Sequence, residues 1–317
     1  MLCGEEKILL VLVAGEFLLG ILGNGFMVLV NGIVWIKNKK LATGELILLF
    51  LAICRLGLLC TLIWSSFLLV FNPDELLRSA VKVVDIFWLL THISSTWFAT
   101  CLSVFYFLKI AHFSHPLFLW LKWRINQVVC MLQVGPLLFS LSIDLSLLER
   151  AYYYLISRGN NTKTSQEFQV SGNQYITIQA IMNFLSLFPF CLSLVSFSFL
   201  MLSLWRHTCQ MKLHATGSRD PSTEAHVRAV KATLSFLILL VLFILGSLIS
   251  QWSYSFPNRK LAVAVSIPLM SLYPSGHSLI LILYNNKLRQ TALKMWWPGK
   301  CCLKRSQGDQ SLALQVC

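Results

Sequence analysis

The sequence has little charge and few acidic residues. Only 12% of the 317 residues are charged, and 13 of them are Asp or Glu. Soluble domains carry about 25% charged residues, so this composition excludes a disordered protein, a coiled coil and an ordinary cytosolic enzyme. P-loop, dinucleotide-binding and Gly-x-Ser-x-Gly motifs are also missing. His112 and His115 have no cysteine or acidic neighbours, so we expect no enzyme, no metal site and no cofactor.

What the sequence has instead is apolar residues, 56% of the chain, gathered in long blocks. A hydrocarbon core of about 30 Å is crossed by roughly 20 apolar residues in a helix. Seven blocks qualify. They predict an all-α membrane protein, a seven-transmembrane helix bundle over residues 1–284 followed by a tail over 285–317. The blocks are approximately Ile8–Ile36, Leu46–Phe71, Val83–Lys109, Ile125–Leu148, Ile178–Trp205, Ala229–Trp252 and Leu261–Tyr284.

The basic residues predict how the bundle is oriented. The segments that follow the first, third, fifth and seventh blocks hold 17 of the 26 Lys and Arg residues. They are Lys37–Lys40, Lys109–Arg124, Arg206–Lys231 and Lys287–Arg305. Because cytosolic segments are enriched in these residues, we expect the N-terminus outside and the C-terminus in the cytosol. Asn160 begins an Asn-Asn-Thr glycosylation sequon in a loop predicted to be outside, in agreement with this orientation. A net charge of +13 spread in this way favours membrane topology over a nucleic-acid partner.

The ten cysteines do not predict disulfide bonds. Five lie in apolar blocks, four lie in segments assigned to the cytosol, and only Cys3 lies outside. In the tail, Cys301 and Cys302 stand beside basic residues and resemble a palmitoylation site; the alternative is two ordinary reduced thiols. The preceding segment, Thr291–Trp297, suits a short helix lying on the inner membrane surface.

Arg55 lies roughly ten residues into the second block from its inner end. Charged residues inside membrane helices usually face the bundle interior and have partners. Asn24 in the first block and Ser278 in the seventh lie at matching depths. We expect these three residues to form a polar network that joins three helices and supports a two-state switch. The alternative is that Arg55 extends to the inner surface.

Trp88, His92 and Ser95 follow the i, i+4, i+7 spacing of one helical face near the outside. An aromatic ring, an imidazole and a hydroxyl on one stripe can line a ligand cavity. Helix–helix packing with satisfied polar groups accounts equally well for the spacing.

Stretches along the whole chain resemble type 2 (bitter) taste receptors, a family of G-protein-coupled receptors. One departure is Cys54, where Ser is more usual in the family. The stretches are Leu51–Arg55, Phe105–Ala111, Phe113–Ile125, Leu200–Leu204, Arg206–Thr208, Ala215–His226, Tyr273–Leu283 and Asn286–Arg289.

The resemblance implies a multi-pass plasma-membrane receptor for bitter compounds that couples to gustducin-type G proteins. Tyr106 and Lys109 stand at the inner end of the third helix, where rhodopsin-like receptors carry Asp-Arg-Tyr. Basic loop residues are expected to attract the acidic surface of the G protein, although the same residues also mark topology. These residues are Lys122, Arg124, Arg206 and Lys212.

The family's ligand cavity uses the outer halves of the third, fifth, sixth and seventh helices. Trp88 and His92 fall at cavity-lining positions, with His92 standing where the family more often has Asn. Ile267 stands where some members have Glu, which argues against an obligatory salt bridge to cationic agonists. The resemblance therefore implies a site that includes Trp88, His92 and Ile267, and the helical spacing adds Ser95 to it.

Two other functions are alternatives to a bitter taste receptor. Another seven-helix chemosensory receptor, of the pheromone type, is the nearest alternative, but it would lack the combined inner-loop and His277-Ser278 signatures. A membrane transporter would instead carry substrate without any G protein.

Overall fold

The fold was obtained as a computed structural model, in which the described residues are 4–71, 79–138, 141–142, 184, 186–207, 209, 221–252 and 259–296. These residues are helical apart from short connections. In chain order the helices are α1 Gly4–Asn38, α2 Thr43–Phe71, α3 Ser79–Ile110, α4 Pro116–Trp123, α5 Ile125–Leu138, α6 Ser186–His207, α7 Pro221–Trp252, α8 Arg259–Tyr284 and α9 Asn286–Trp296.

Six of these helices, α1, α2, α3, α6, α7 and α8, contain stretches long and apolar enough to cross a membrane, and α5 is a shorter apolar helix. The prediction of an all-α membrane protein is therefore confirmed. The ends of the predicted blocks Ile125–Leu148 and Ile178–Trp205 fall partly outside the described residues. α7 starts at Pro221, upstream of the predicted Ala229, because proline suits a first helical turn and Glu224 pairs with Arg228 one turn later at 2.5 Å.

The connection between α3 and α5 contains the short helix α4, which hydropathy alone does not predict. The ring of His115 accepts a hydrogen bond from the backbone N–H of Leu117 at 3.3 Å, and Pro116 occupies the first turn. Both features favour helix initiation. Phe118 is the buried residue of α4, and it packs on Leu108 and Ala111.

α8 lies at the centre of the packing, in contact with α1, α2 and α7, while α2 also contacts α1 and α3. α1 approaches α8 closely at Gly20, where an added Cβ would lie 3.1 Å from the Cβ of Ser275. α7 approaches α8 at Gly246, where a Cβ would lie 2.9 Å from the Cβ of Leu269. Small residues at these crossings let the backbones pack tightly.

α6 packs through hydroxyl groups. Ser186, Ser193, Ser196 and Ser203 lie on one buried face of the helix. Ser193 Oγ donates to Thr100 Oγ1 of α3 at 3.0 Å, and Thr100 in turn donates to the carbonyl of Pro189 in α6 at 3.2 Å. These polar contacts join α6 to α3 beside an aromatic one, since Phe199 of α6 stacks on Phe107 of α3 with ring centroids 5.5 Å apart.

Candidate functional site

An aromatic stack connects α3 to α7. Trp88 and His92 lie one turn apart on α3, with ring centroids 5.5 Å apart and planes 14° from parallel. Phe243 of α7 stacks on His92 at 4.3 Å and lies 6.3 Å from Trp88. His92 Nε2 lies 3.2 Å from Ser186 Oγ of α6, so one buried imidazole contacts residues of three helices.

Tyr273 of α8 extends this stack toward the middle of the bundle. Its ring meets Phe243 edge-on at 5.6 Å, and its hydroxyl lies 3.2 Å from Ser95 Oγ of α3. The guanidinium carbon of Arg55 lies 5.2 Å from the centroid of the same ring. Tyr273 is therefore the side chain through which the predicted ligand-site residues meet the predicted switch residue.

Arg55 is completely buried on α2, and its Nη2 hydrogen bonds to Nδ1 of His277 on α8. His277 stacks on Phe236 of α7 at 5.6 Å. The two ion pairs found among the described residues, Arg228–Glu224 and Lys287–Glu45, do not include Arg55. A buried cation held by an imidazole and a ring rather than by a carboxylate is costly, which favours a functional role over simple stabilisation.

The other two residues of the predicted network make different contacts. Asn24 Nδ2 donates to the carbonyl of Pro274 on α8 at 3.0 Å and to that of Gly20 in its own helix at 2.8 Å. Ser278 Oγ donates to the carbonyl of Ser275 at 2.7 Å, within α8. The α8 groups that reach α1 and α2 are the Pro274 carbonyl and His277, and not the predicted Ser278.

The remaining predicted residues lie elsewhere. Ile267 is partly buried on α8. Ser271 lies one turn after Ile267 on α8 and donates a hydrogen bond to Glu16 of α1. Tyr106 is half-buried, whereas Lys109 is exposed and lies over the Phe105 ring at 5.3 Å.

Three predicted basic residues also lie over aromatic rings. Arg206 is 5.6 Å from the Phe113 ring, Arg124 is 5.1 Å from the Trp120 ring, and Lys122 is 5.5 Å from the Phe118 ring. Lys122 also donates a hydrogen bond to the Ala111 carbonyl at 3.1 Å. Lys122 is therefore already engaged in holding α4 to the end of α3. The predictions for Asn160, Lys212, Cys301 and Cys302 fall outside the described residues.

Sequence reasoning missed Phe243, Tyr273 and His277 as members of this site. Tyr273 and His277 share a face at i, i+4 spacing, and that spacing in a stretch without Asp, Glu, Lys or Arg was a usable signal. Phe243 lies within a continuous apolar run, so nothing in the sequence distinguishes it from its neighbours.

Long apolar helices around a buried polar and aromatic centre define a helical multi-pass membrane protein. The family model of the taste receptor proteins (TAS2R) matches residues 1–300. Taste receptor type 2 member 7 of Pongo pygmaeus is 46% identical over 309 residues, covering 96% of this chain and 97% of the relative. Taste receptor type 2 member 8 of Homo sapiens is 44% identical over 294 residues, covering 92% and 95%.

The chain therefore belongs to the type 2 taste receptor family. It is a bitter taste receptor and not an enzyme, so both expectations from the resemblance are confirmed. Binding of small molecules and coupling to a G protein follow from membership of the family.

Proposed function

We propose that the receptor works in the plasma membrane as a bundle of seven crossing helices, with its N-terminus outside and its C-terminus in the cytosol. Residues 1–284 form the bundle, and residues 285–317 form a cytoplasmic tail that includes α9. The six membrane-span candidates and the shorter apolar α5 support this arrangement, as does the one-sided distribution of Lys and Arg.

The ligand site lies in the outer half of the bundle, beside Trp88, His92, Ser95 and Ile267. The observation that carries this proposal is the environment of His92. Its buried ring packs against both Trp88 and Phe243, and its Nδ1 atom has no hydrogen-bond partner among the described residues. Aromatic walls with one free polar group favour bulky apolar compounds that carry a hydrogen-bonding group.

Ligand binding reaches the polar centre through adjoining side chains. His92 touches Phe243, Phe243 touches Tyr273, and the Tyr273 ring faces Arg55. An agonist shifts the receptor toward its active state only by binding that state more tightly than the resting state. A ligand that moves the imidazole of His92 changes the packing of Phe243, and this favours a different arrangement of Arg55, Asn24 and Ser278.

The inner side couples to a gustducin-type heterotrimeric G protein. Tyr106 and Lys109 stand at the inner end of α3, and the basic residues Lys122, Arg124, Arg206 and Lys212 complement an acidic partner. Glycosylation at Asn160 on the outside and lipidation at Cys301 and Cys302 on the inside complete the proposal.

The test is a screen of bitter compounds on cells that express the receptor with a gustducin-tailed promiscuous G protein. For each active compound, His92→Ala is compared with Phe87→Ala, a change at an exposed residue of the same helix. Loss of one buried polar contact of about 1.4 kcal/mol lowers agonist potency about tenfold. We expect this loss for His92→Ala at unchanged surface expression, and no loss for Phe87→Ala.

Unchanged potency of His92→Ala toward every active agonist would remove this residue from the site. Calcium responses that persist when the G protein is absent would contradict the coupling mechanism and favour a transporter.

A further inference from the structure

We propose that the outward face of α4 and the beginning of α5 binds an anionic phospholipid of the cytoplasmic leaflet. In the receptor without a bound G protein, Arg124 contacts the lipid phosphate, and Trp120 and Trp123 lie at the boundary between headgroups and acyl chains. The assignment to the cytoplasmic leaflet rests on the orientation proposed above.

α4 is fixed to the bundle by one face only. The buried Phe118 ring lies 5.3 Å from Phe107 and 5.4 Å from Phe113. Lys122 binds the Ala111 carbonyl from the same side, over the Phe118 ring at 5.5 Å. These contacts set the rotation of α4 and leave the opposite face outward.

That outward face is unusually apolar and aromatic. Trp123 is 90% exposed, and Leu117 and Trp120 are more than half exposed. Tryptophan is enriched at membrane–water interfaces, where its ring is buried and its N–H stays near polar headgroups. The composition of this face suits an interface better than it suits water.

The same face continues into α5. Arg124 interrupts the regular helix, yet its N–H bonds to the Trp120 carbonyl at 3.2 Å and its carbonyl accepts from Val128 at 3.0 Å, both in the i to i−4 pattern. The exposed residues therefore run along one side of α4 and α5 at spacings of three and four. They are Trp120, Trp123, Gln127, Met131, Val134 and Leu138.

This continuity selects lipid as the occupant. The exposed apolar residues of α5 face the bilayer in a multi-pass membrane protein, so Trp120 and Trp123 at the end of the stripe meet the bilayer surface. A protein partner approaching from the cytosol would cover only the α4 end of this face and could not reach the part on α5 that lies in the membrane.

The charge at the end of the stripe indicates an anionic headgroup. The Arg124 guanidinium lies 5.1 Å from the Trp120 ring centroid, and the side chain is exposed. Stacking on the ring reduces the freedom of the guanidinium while its N–H groups stay available for a phosphate. Anionic lipids are concentrated in the cytoplasmic leaflet, where they attract basic residues next to the membrane.

The experiment measures tryptophan fluorescence of the purified full-length receptor in nanodiscs. The discs contain either brominated phosphatidylserine or brominated phosphatidylcholine at equal mole fraction, since bromine quenches tryptophan on contact. We expect stronger quenching by the serine lipid, with an enrichment of about fivefold from one basic residue worth about 1 kcal/mol. Trp123→Phe removes most of the difference between the two lipids.

Arg124→Gln is expected to abolish the preference for phosphatidylserine and to retain quenching by phosphatidylcholine. Lys40→Gln is the matched control, since it removes one exposed cation from the turn between α1 and α2; the preference should persist in it. Equal quenching by both lipids in the wild type would overturn the proposal, as would a preference that survives Arg124→Gln.

A third outcome would also overturn the proposal. If an aqueous quencher reaches Trp123 in the nanodisc until G protein is added, the face is a protein-docking surface. Because these measurements need no agonist, their failure is distinguishable from failure of the bitter-compound screen.

Discussion

Two glycines of α1 give a sharp test of how this helix packs on α8. A Cβ added at Gly20 would lie 2.7 Å from Cδ1 of Leu59 and 3.1 Å from Cβ of Ser275. The Leu59 methyl can rotate away, but the Ser275 Cβ is fixed by its backbone, so the helices must separate slightly. At Gly25, five residues later, an added Cβ meets no atom within 4 Å.

Gly20→Ala and Gly25→Ala gain the same helix propensity, so the difference between them isolates the steric term. Overpacking a tight contact costs about 1–3 kcal/mol. Alanine in a helix gains about 0.5–1 kcal/mol over glycine. We therefore expect Gly20→Ala to be less stable than Gly25→Ala by about 1–3 kcal/mol, and Gly25→Ala to be at least as stable as the wild type.

The assay is thermal unfolding of the purified receptor in detergent, with surface expression as a second readout. A difference of 1 kcal/mol shifts Tm by about 2–4 °C in chains of 150–250 residues. Equal Tm values for the two variants, or a higher value for Gly20→Ala, would refute the close contact between α1 and α8 at Gly20.

Three further outcomes follow from the polar contacts. Arg55→Met should lower the maximal agonist response strongly without lowering Tm, because it removes a buried cation that no described carboxylate offsets; a large drop in Tm in the detergent assay would contradict this. Thr100→Val and Ser193→Ala, alone and combined, should give a coupling energy of about 0.6 kcal/mol in the same assay, and full additivity would show that the two hydroxyls are not bonded. Removing Glu45, Lys287 and both together should give a coupling energy for this ion pair below about 1 kcal/mol that shrinks in high salt, whereas coupling that persists in 1 M salt would indicate a buried pair.

Hydropathy predicts where this chain crosses a membrane, because about 20 apolar residues have no other common use. It predicts helix ends less well. α7 begins among polar residues at Pro221 and α4 lies in a connection. A proline in the first turn of each helix, joined in α4 by the His115 cap, determines these starts rather than apolar length.

The site is less predictable than the fold. Arg55 is recognisable because a charge in a membrane helix is rare. Its partner is not recognisable. His277 and Ser278 are adjacent and point about 100° apart around the helix, so the rotation of α8 against α2 decides which of them faces Arg55. Only the packed structure shows that His277, and not Ser278, contacts Arg55.

The serine face of α6 determines how easily that helix can slide. A large apolar side chain withdrawn from a neighbouring groove leaves a void, whereas a hydroxyl leaves almost none and can find another oxygen within one helical turn. Each such hydrogen bond contributes about 0.6 kcal/mol, which is close to the thermal energy RT, so it breaks and re-forms readily. The first turns of α6, around Ser186 and Ser193, can therefore shift along α3 in small steps, while the stack of Phe199 on Phe107 at 5.5 Å holds the later turns in place.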